Sequence, residues 1–172
     1  HDLEPPDVSI HFAWPSAASP RGYLYDRESA LFSRDALATT IDALARSNAA
    51  EFNLVGHSMG AFLLMDTLRT MALVGHDEVF RKLNTVLLIS PDIEIDVFRK
   101  QAEPVLARGV RIYVVISSGD RALRFSARIR GQRERLGSIR GVGDLGGLDV
   151  GVIDLSAVKS AELAAQGGKR ED

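Results

Sequence analysis

A three-layer α/β fold, a parallel sheet with helices on both faces, is what this sequence of 172 residues predicts. Three observations predict it. Short apolar runs alternate along the chain with longer segments of helical periodicity. The run TVLLI at 85–89 shows no polar alternation, and RIYVVI at 111–116 follows suit, as strands buried on both faces do. The length suits one domain able to bury its own core.

The elements follow in order. SIHFAW, residues 9–14, reads as a strand, ended by Pro15 and a turn-rich stretch over 16–22. Leu37, Ile41 and Leu44 recur at i, i+4 and i+7, which predicts one helix over about 26–46. Residues 52–55 are a second strand. A helix follows over about 59–73, with Leu64, Leu68 and Met71 on one stripe and Gly75 as its stop. After the strand at 85–89, a helix is expected over 96–108, capped by Gly109 and kinked or broken by Pro104. The strand at 111–116 precedes a charged helical stretch at 121–135 and a glycine-rich loop at 137–147. A last strand at 148–155 and a short helix at 157–165 complete the pattern. Ligands of such sheets sit beyond the carboxyl ends of the strands, so chemistry is expected just after 14, 56, 90, 117 and 155.

Composition removes several classes of function. The formal charge of −2 gives no reason to expect nucleic acid or an anionic membrane as partner. The absence of cysteine excludes disulfides, a thiolate nucleophile and a cysteine-bound zinc. No apolar stretch has the length of a membrane span, and no targeting signal is readable behind His1. Asp77 and Glu78 beside His76 lack metal-ligand spacing. The glycines at 141, 143, 146 and 147 do not form a phosphate-binding fingerprint, which argues against a nucleotide-binding domain. No cofactor or metal is expected.

GHSMG, residues 56–60, lies between a strand and a helix with no loop to spare. A turn this sharp forces strained dihedrals on Ser58 and demands small residues two positions either side, which Gly56 and Gly60 supply. It lifts the Ser58 hydroxyl above the sheet edge and aims the Met59 N–H, at a helix N-terminus, toward a developing oxyanion. The plainer alternative makes Ser58 a helix N-cap on a turn that needs glycines. His57 is adjacent, and neighbouring side chains on such a turn diverge, so it packs behind the serine rather than acting as its base.

HFAWPS, GYLYDRESALFSRDAL, GHSMGAFLLMDTLR, LLISPDIEIDVF and SSGDRALRFS, in this order, resemble a bacterial family of uncharacterised α/β-hydrolase-like proteins of the esterase/lipase superfamily. The resemblance runs from about residue 8 to residue 155. It implies an α/β-hydrolase-type sheet and a serine nucleophile more firmly than any substrate.

In that fold the triad runs Ser, acid, His along the chain. Asp120, after the strand two beyond the nucleophile strand, is the expected acid; its plainer role is an N-cap to the Arg121 segment. Asp92, in SPDIEID, is the reserve acid and otherwise shapes the loop leading to Asp96. No histidine follows Asp120: the four are His1, His11, His57 and His76. His76 sits about 25 Å along the helix axis from Ser58 at 1.5 Å per residue. Three explanations compete: a longer hydrolase whose histidine and second oxyanion donor lie elsewhere, an omitted loop near Ser160, or a degenerate hydrolase that binds without turnover. The first is preferred, so the domain is expected to be an incomplete version of the hydrolase fold.

Two further features have plain readings. The arginines at 121, 124, 128, 130, 133, 135 and 140 are expected to be a solvated basic face. Of the aromatic residues near the first strand's end, Phe12 is expected in the core, and Trp14, Tyr23 and Tyr25 are candidates for a pocket wall. The expected function is carboxylester hydrolysis through an acyl-enzyme on Ser58, with a small acyl ester as partner. The alternative is a non-catalytic binding or scaffold protein on the same fold.

Overall fold

The computed structural model describes residues 8–16, 22–117, 135–139 and 141–156. Among these, the chain builds α1 (Tyr23–Phe32), α2 (Arg34–Arg46), β1 (Phe52–His57), α3 (Met59–Val74), α4 (Asp77–Lys82), β2 (Leu83–Ile89), α5 (Ile95–Leu106), β3 (Arg111–Ile116) and β4 (Gly151–Asp154). The strands form one parallel sheet in the order β1-β2-β3-β4. The α/β class read from the sequence is therefore the one observed, with four strands of a hydrolase-type sheet. Expectations for 121–134 and 157–165 lie outside the described residues, as does Asp120.

Register explains which side chains form the core. Leu54 aligns with Val86 and Ile112, and Gly56 with Leu88, Val114 and Val152. Their side chains share one face, because successive residues of a strand point to opposite faces. On that face Val86, Leu88, Ile112 and Val114 are fully or almost fully buried. Helices α3 and α5 pack together, and α1 and α2 pack on α3. Sequential parallel neighbours joined by right-handed crossovers carry their connections on one face. The other face holds Val55, Leu87, Ile89, Tyr113 and Ile153, and among the described residues it is less covered: Val55 is 62% exposed.

Four details depart from the sequence reading. Residues 9–14 join no sheet among the described residues. Phe12 and Trp14 still pack against the core, while Val8 and Ile10 are exposed, so the segment is held by side chains rather than by a ladder. The helix expected over 26–46 is two helices meeting at Ser33. The Ser33 hydroxyl bonds the Ser29 carbonyl at 2.9 Å, and the Ser33 N–H is shared between the carbonyls of Ser29 and Ala30. Serine back-bonding of this kind bends helices.

Pro104 sits inside α5 without breaking it. Proline removes one N–H donor, here less than a turn from the helix end at Leu106, so little of the ladder is lost. Helix α4 was not anticipated. Its six residues are too few to show a period, and its anchors are Val79 and Phe80, both buried. The terminators were legible: Gly75 ends α3 in the left-handed conformation at φ 89°.

The two faces predict opposite responses to truncation. Leu88→Ala, on the packed face, should cost about 2–5 kcal/mol in urea unfolding, whereas Val55→Ala should stay within about 0.5 kcal/mol. Comparable losses at both positions would mean that the outer face is covered.

Candidate active site

Strand β1 ends at His57 and α3 begins at Met59, which leaves Ser58 alone to turn the chain. Its backbone is at φ 52° and ψ −117°, outside the regions that residues with a Cβ adopt readily. Such a conformation costs about 1–3 kcal/mol and persists only where the surroundings over-determine it. Ser58 is half-buried and stands at the N-cap position of α3, with no capping hydrogen bond from its side chain to that helix.

The surroundings are hydrogen bonds to the neighbouring strand. The Ser58 N–H donates to the Ile89 carbonyl at 3.0 Å, extending the β1–β2 ladder one residue past His57. The Ser58 carbonyl accepts from the Asp92 N–H at 3.1 Å and from the Ala61 N–H at 3.2 Å. Both ends of the serine are thus held by the segment that leaves β2 and by the first turn of α3. The N-terminus of α3, where helix N–H groups concentrate partial positive charge, opens directly at this turn.

The two flanking glycines serve different needs. A Cβ on Gly56 would lie 2.7 Å from the Ala61 Cα and 3.0 Å from its nitrogen. That is the strand-to-helix backbone contact expected of a sharp turn. A Cβ on Gly60 would meet only the Trp14 ring, at 3.3 Å. The small residue at 60 therefore answers to an aromatic side chain, and not to the backbone approach that the sequence suggests.

Asp92 lies just beyond β2, buried, in a segment that turns sharply at Ser90 (φ 44°). One carboxylate oxygen accepts from Arg135 Nη1 at 2.8 Å, and the other accepts from the Tyr23 hydroxyl at 2.9 Å. Arg135 Nη1 also lies 3.2 Å from the Tyr23 oxygen and 3.3 Å from the Asp92 carbonyl. The Asp92 and Arg135 side chains are 5% and 15% exposed, so this ion pair is largely removed from water. Backbone bonds from Leu136 to the Ile93 carbonyl and from Gly137 to the Pro91 carbonyl strap the 135–137 segment along it.

Arg135 is thus tied to Asp92 and is no part of a solvated face, and the Tyr23 hydroxyl is committed to the same carboxylate. Sequence reasoning missed both. Nothing in the spacing around Asp92 points to partners 69 residues before it and 43 after it. Tyr25 is exposed, and Trp14 is half-buried, with an enclosed indole N–H that finds no hydrogen-bond partner among the described residues.

The described histidines are distributed away from this cluster. His76, beyond α3, faces Asp42 at 3.3 Å. His57 is exposed, in register with the outer-face residues Ile89 and Val115, and His11 is exposed in the segment before α1. Among the described residues no group of three His, Asp or Glu side chains could hold a metal ion, and no helix is long and apolar enough to cross a membrane. A polar concavity of about 470 Å³, lined by Glu51, Arg81, Lys82, Asn84 and Arg111 among others, lies at the amino ends of the strands, opposite Ser58.

The turn geometry predicts two asymmetries. Gly56→Ala should destabilise the fold by several kcal/mol, because backbone must move, while Gly60→Ala needs only a small shift of Trp14 and should cost about 1 kcal/mol or less. Ser58→Gly should unfold at higher temperature than Ser58→Ala, since glycine adopts a positive φ without a Cβ penalty. Equal stabilities for the two serine variants would contradict a strained turn.

A family model described as "Alpha/beta hydrolase of unknown function (DUF900)" matches residues 1–163. No curated protein and no solved structure matches the chain.

Proposed function

The chain belongs to this family of α/β hydrolases of unknown function, and from that premise we propose that it is a serine hydrolase with Ser58 as nucleophile. The observation that carries the reading is the backbone of Ser58, held at φ 52° and ψ −117° between β1 and α3. A nucleophile at such a bend projects its hydroxyl from the sheet edge, and the next N–H in the chain faces the oxygen that becomes negatively charged.

The proposed chemistry is acyl transfer from a carboxylic ester to water. The Ser58 oxygen attacks the carbonyl carbon, the Met59 N–H and the α3 N-terminus stabilise the tetrahedral oxyanion, and the alcohol departs to leave an acyl-serine that water then hydrolyses. A donor of this kind contributes about 10²–10³-fold to the rate where its removal has been measured in serine hydrolases. Serine is a weak nucleophile without a base, so the scheme requires an imidazole other than those of His57 and His76. Asp120 is the proposed acid that orients it, from its place after β3 in the order Ser, acid, His. The engagement of both Asp92 oxygens by Arg135 and Tyr23 supports leaving the acid role to Asp120.

A fluorophosphonate probe tests the nucleophile. The native-length protein should be labelled on the peptide containing Ser58, and Ser58→Ala should take no label. No labelling would favour the non-catalytic scaffold, and labelling at another residue would remove Ser58 as the nucleophile. For the acid, Asp120→Asn should lower ester turnover by about 10³–10⁴-fold, by analogy with the loss of a triad carboxylate. A variant that keeps wild-type turnover removes Asp120 from the mechanism.

A further inference from the structure

We infer that Tyr23, Asp92 and Arg135 form a positioning clamp that sets the conformation of Ser58 for catalysis. The inference rests on Ser58 being the nucleophile, and it assigns Asp92 a task different from that of a triad acid.

The argument follows the hydrogen bonds outward from the turn. Ser58 cannot relax toward an ordinary conformation while its carbonyl accepts from the Asp92 N–H and its own N–H donates to the Ile89 carbonyl. The Asp92 N–H belongs to a segment outside any strand or helix, so its position depends on what anchors residues 90–94. At one end Ser90 donates its N–H to the Val115 carbonyl, and at the other Glu94 caps α5 by accepting from the Val97 N–H. Between them the Pro91 and Ile93 carbonyls accept from the Gly137 and Leu136 N–H groups, and the Asp92 carboxylate is the side-chain anchor.

That carboxylate is buried and bonded from two directions. Tyr23, at the start of α1, donates to one oxygen, and Arg135, from a segment 43 residues further on, donates to the other. The Arg135 guanidinium also spans to the Tyr23 oxygen, so the three side chains form a closed set of contacts. Groups from both sides of the chain thus converge on a residue whose backbone touches the nucleophile. A buried ion pair contributes little net stability compared with apolar packing, but it fixes geometry strictly, because a displaced partner leaves a charge desolvated. Fixed geometry is what a nucleophile requires, since displacements of about 1 Å can cost about 10²-fold in rate.

A positioning role makes a different prediction from an acid role. If the clamp acts by orienting Ser58, then Tyr23→Phe, Arg135→Ala and Asp92→Asn should each lower kcat with little change in KM, and each should slow fluorophosphonate labelling. Tyr23→Phe keeps the ion pair and should fold normally, with a loss of roughly ten-fold, about one hydrogen bond to a charged group. Millimolar guanidinium should restore part of the activity of Arg135→Ala, and in all three variants the pH–rate profile should keep its midpoints.

The idea is overturned if Tyr23→Phe and Arg135→Ala both react at the wild-type rate. It is equally overturned if Asp92→Asn alone abolishes turnover and displaces the pH–rate profile, which would make Asp92 the triad acid. Absence of label on the wild-type protein would be a failure of the Ser58 reading instead. Amide hydrogen exchange then decides the clamp without turnover: the Ser58 and Asp92 N–H groups should exchange at least ten-fold faster in Tyr23→Phe, and unchanged exchange would refute it.

Discussion

The hydrogen bonds that tie Ser58 to the segment leaving β2 are the constraint on which the rest of the site depends. A serine with a positive φ is unstable in isolation by about 1–3 kcal/mol. Here its N–H is committed to Ile89 and its carbonyl to Asp92 and Ala61, so any relaxation breaks bonds on both sides of the residue. The parallel pairing of β1 with β2 supplies the first of these bonds, and the α3 turn supplies another. The strain is therefore maintained by the sheet as a whole, which is why a single-residue turn can present a hydroxyl and a helix terminus at the same point.

The packing beneath the turn follows from the same pairing. Gly56 lies against the Ala61 backbone, so α3 can descend onto the sheet directly after Ser58, carrying Leu63, Leu64, Leu68 and Met71 into the core. A side chain at 56 would push the helix away and open the turn. The shape of the turn and the stability of the fold are linked here through one interatomic approach. At Gly60 the neighbour is Trp14, so the segment at 8–16, though outside the sheet, is tied to the start of α3 by its aromatic ring.

Much of this was legible in the sequence, for physical reasons that can be named. The buried strands were readable because burial on both sides removes polar alternation, and the turn was readable because GHSMG allows no intervening loop. Gly75 was readable as a stop because left-handed backbone selects glycine. The break at Ser33 was not, since a serine that bonds back to the preceding turn leaves the apolar period intact. The failure of 9–14 to pair was also hidden, because a strand pattern reports side-chain preference and says nothing about whether a partner edge is at hand. Tyr23 and Arg135 escaped for a related reason: a tertiary ion pair between distant loops has no local period, and an arginine among six others reads as surface charge. The candidate site was thus half legible, its strand-to-helix turn from local spacing and the cluster around Asp92 only from three-dimensional proximity.

The most direct measurement is the backbone conformation of residue 58 in a crystal structure at a resolution that defines each peptide plane. The account predicts a positive φ near 50°, with the Asp92 N–H on the Ser58 carbonyl and α3 starting at Met59. A negative φ at Ser58, with the serine absorbed into a regular first turn of α3 and its hydroxyl bonded to that helix, would contradict it.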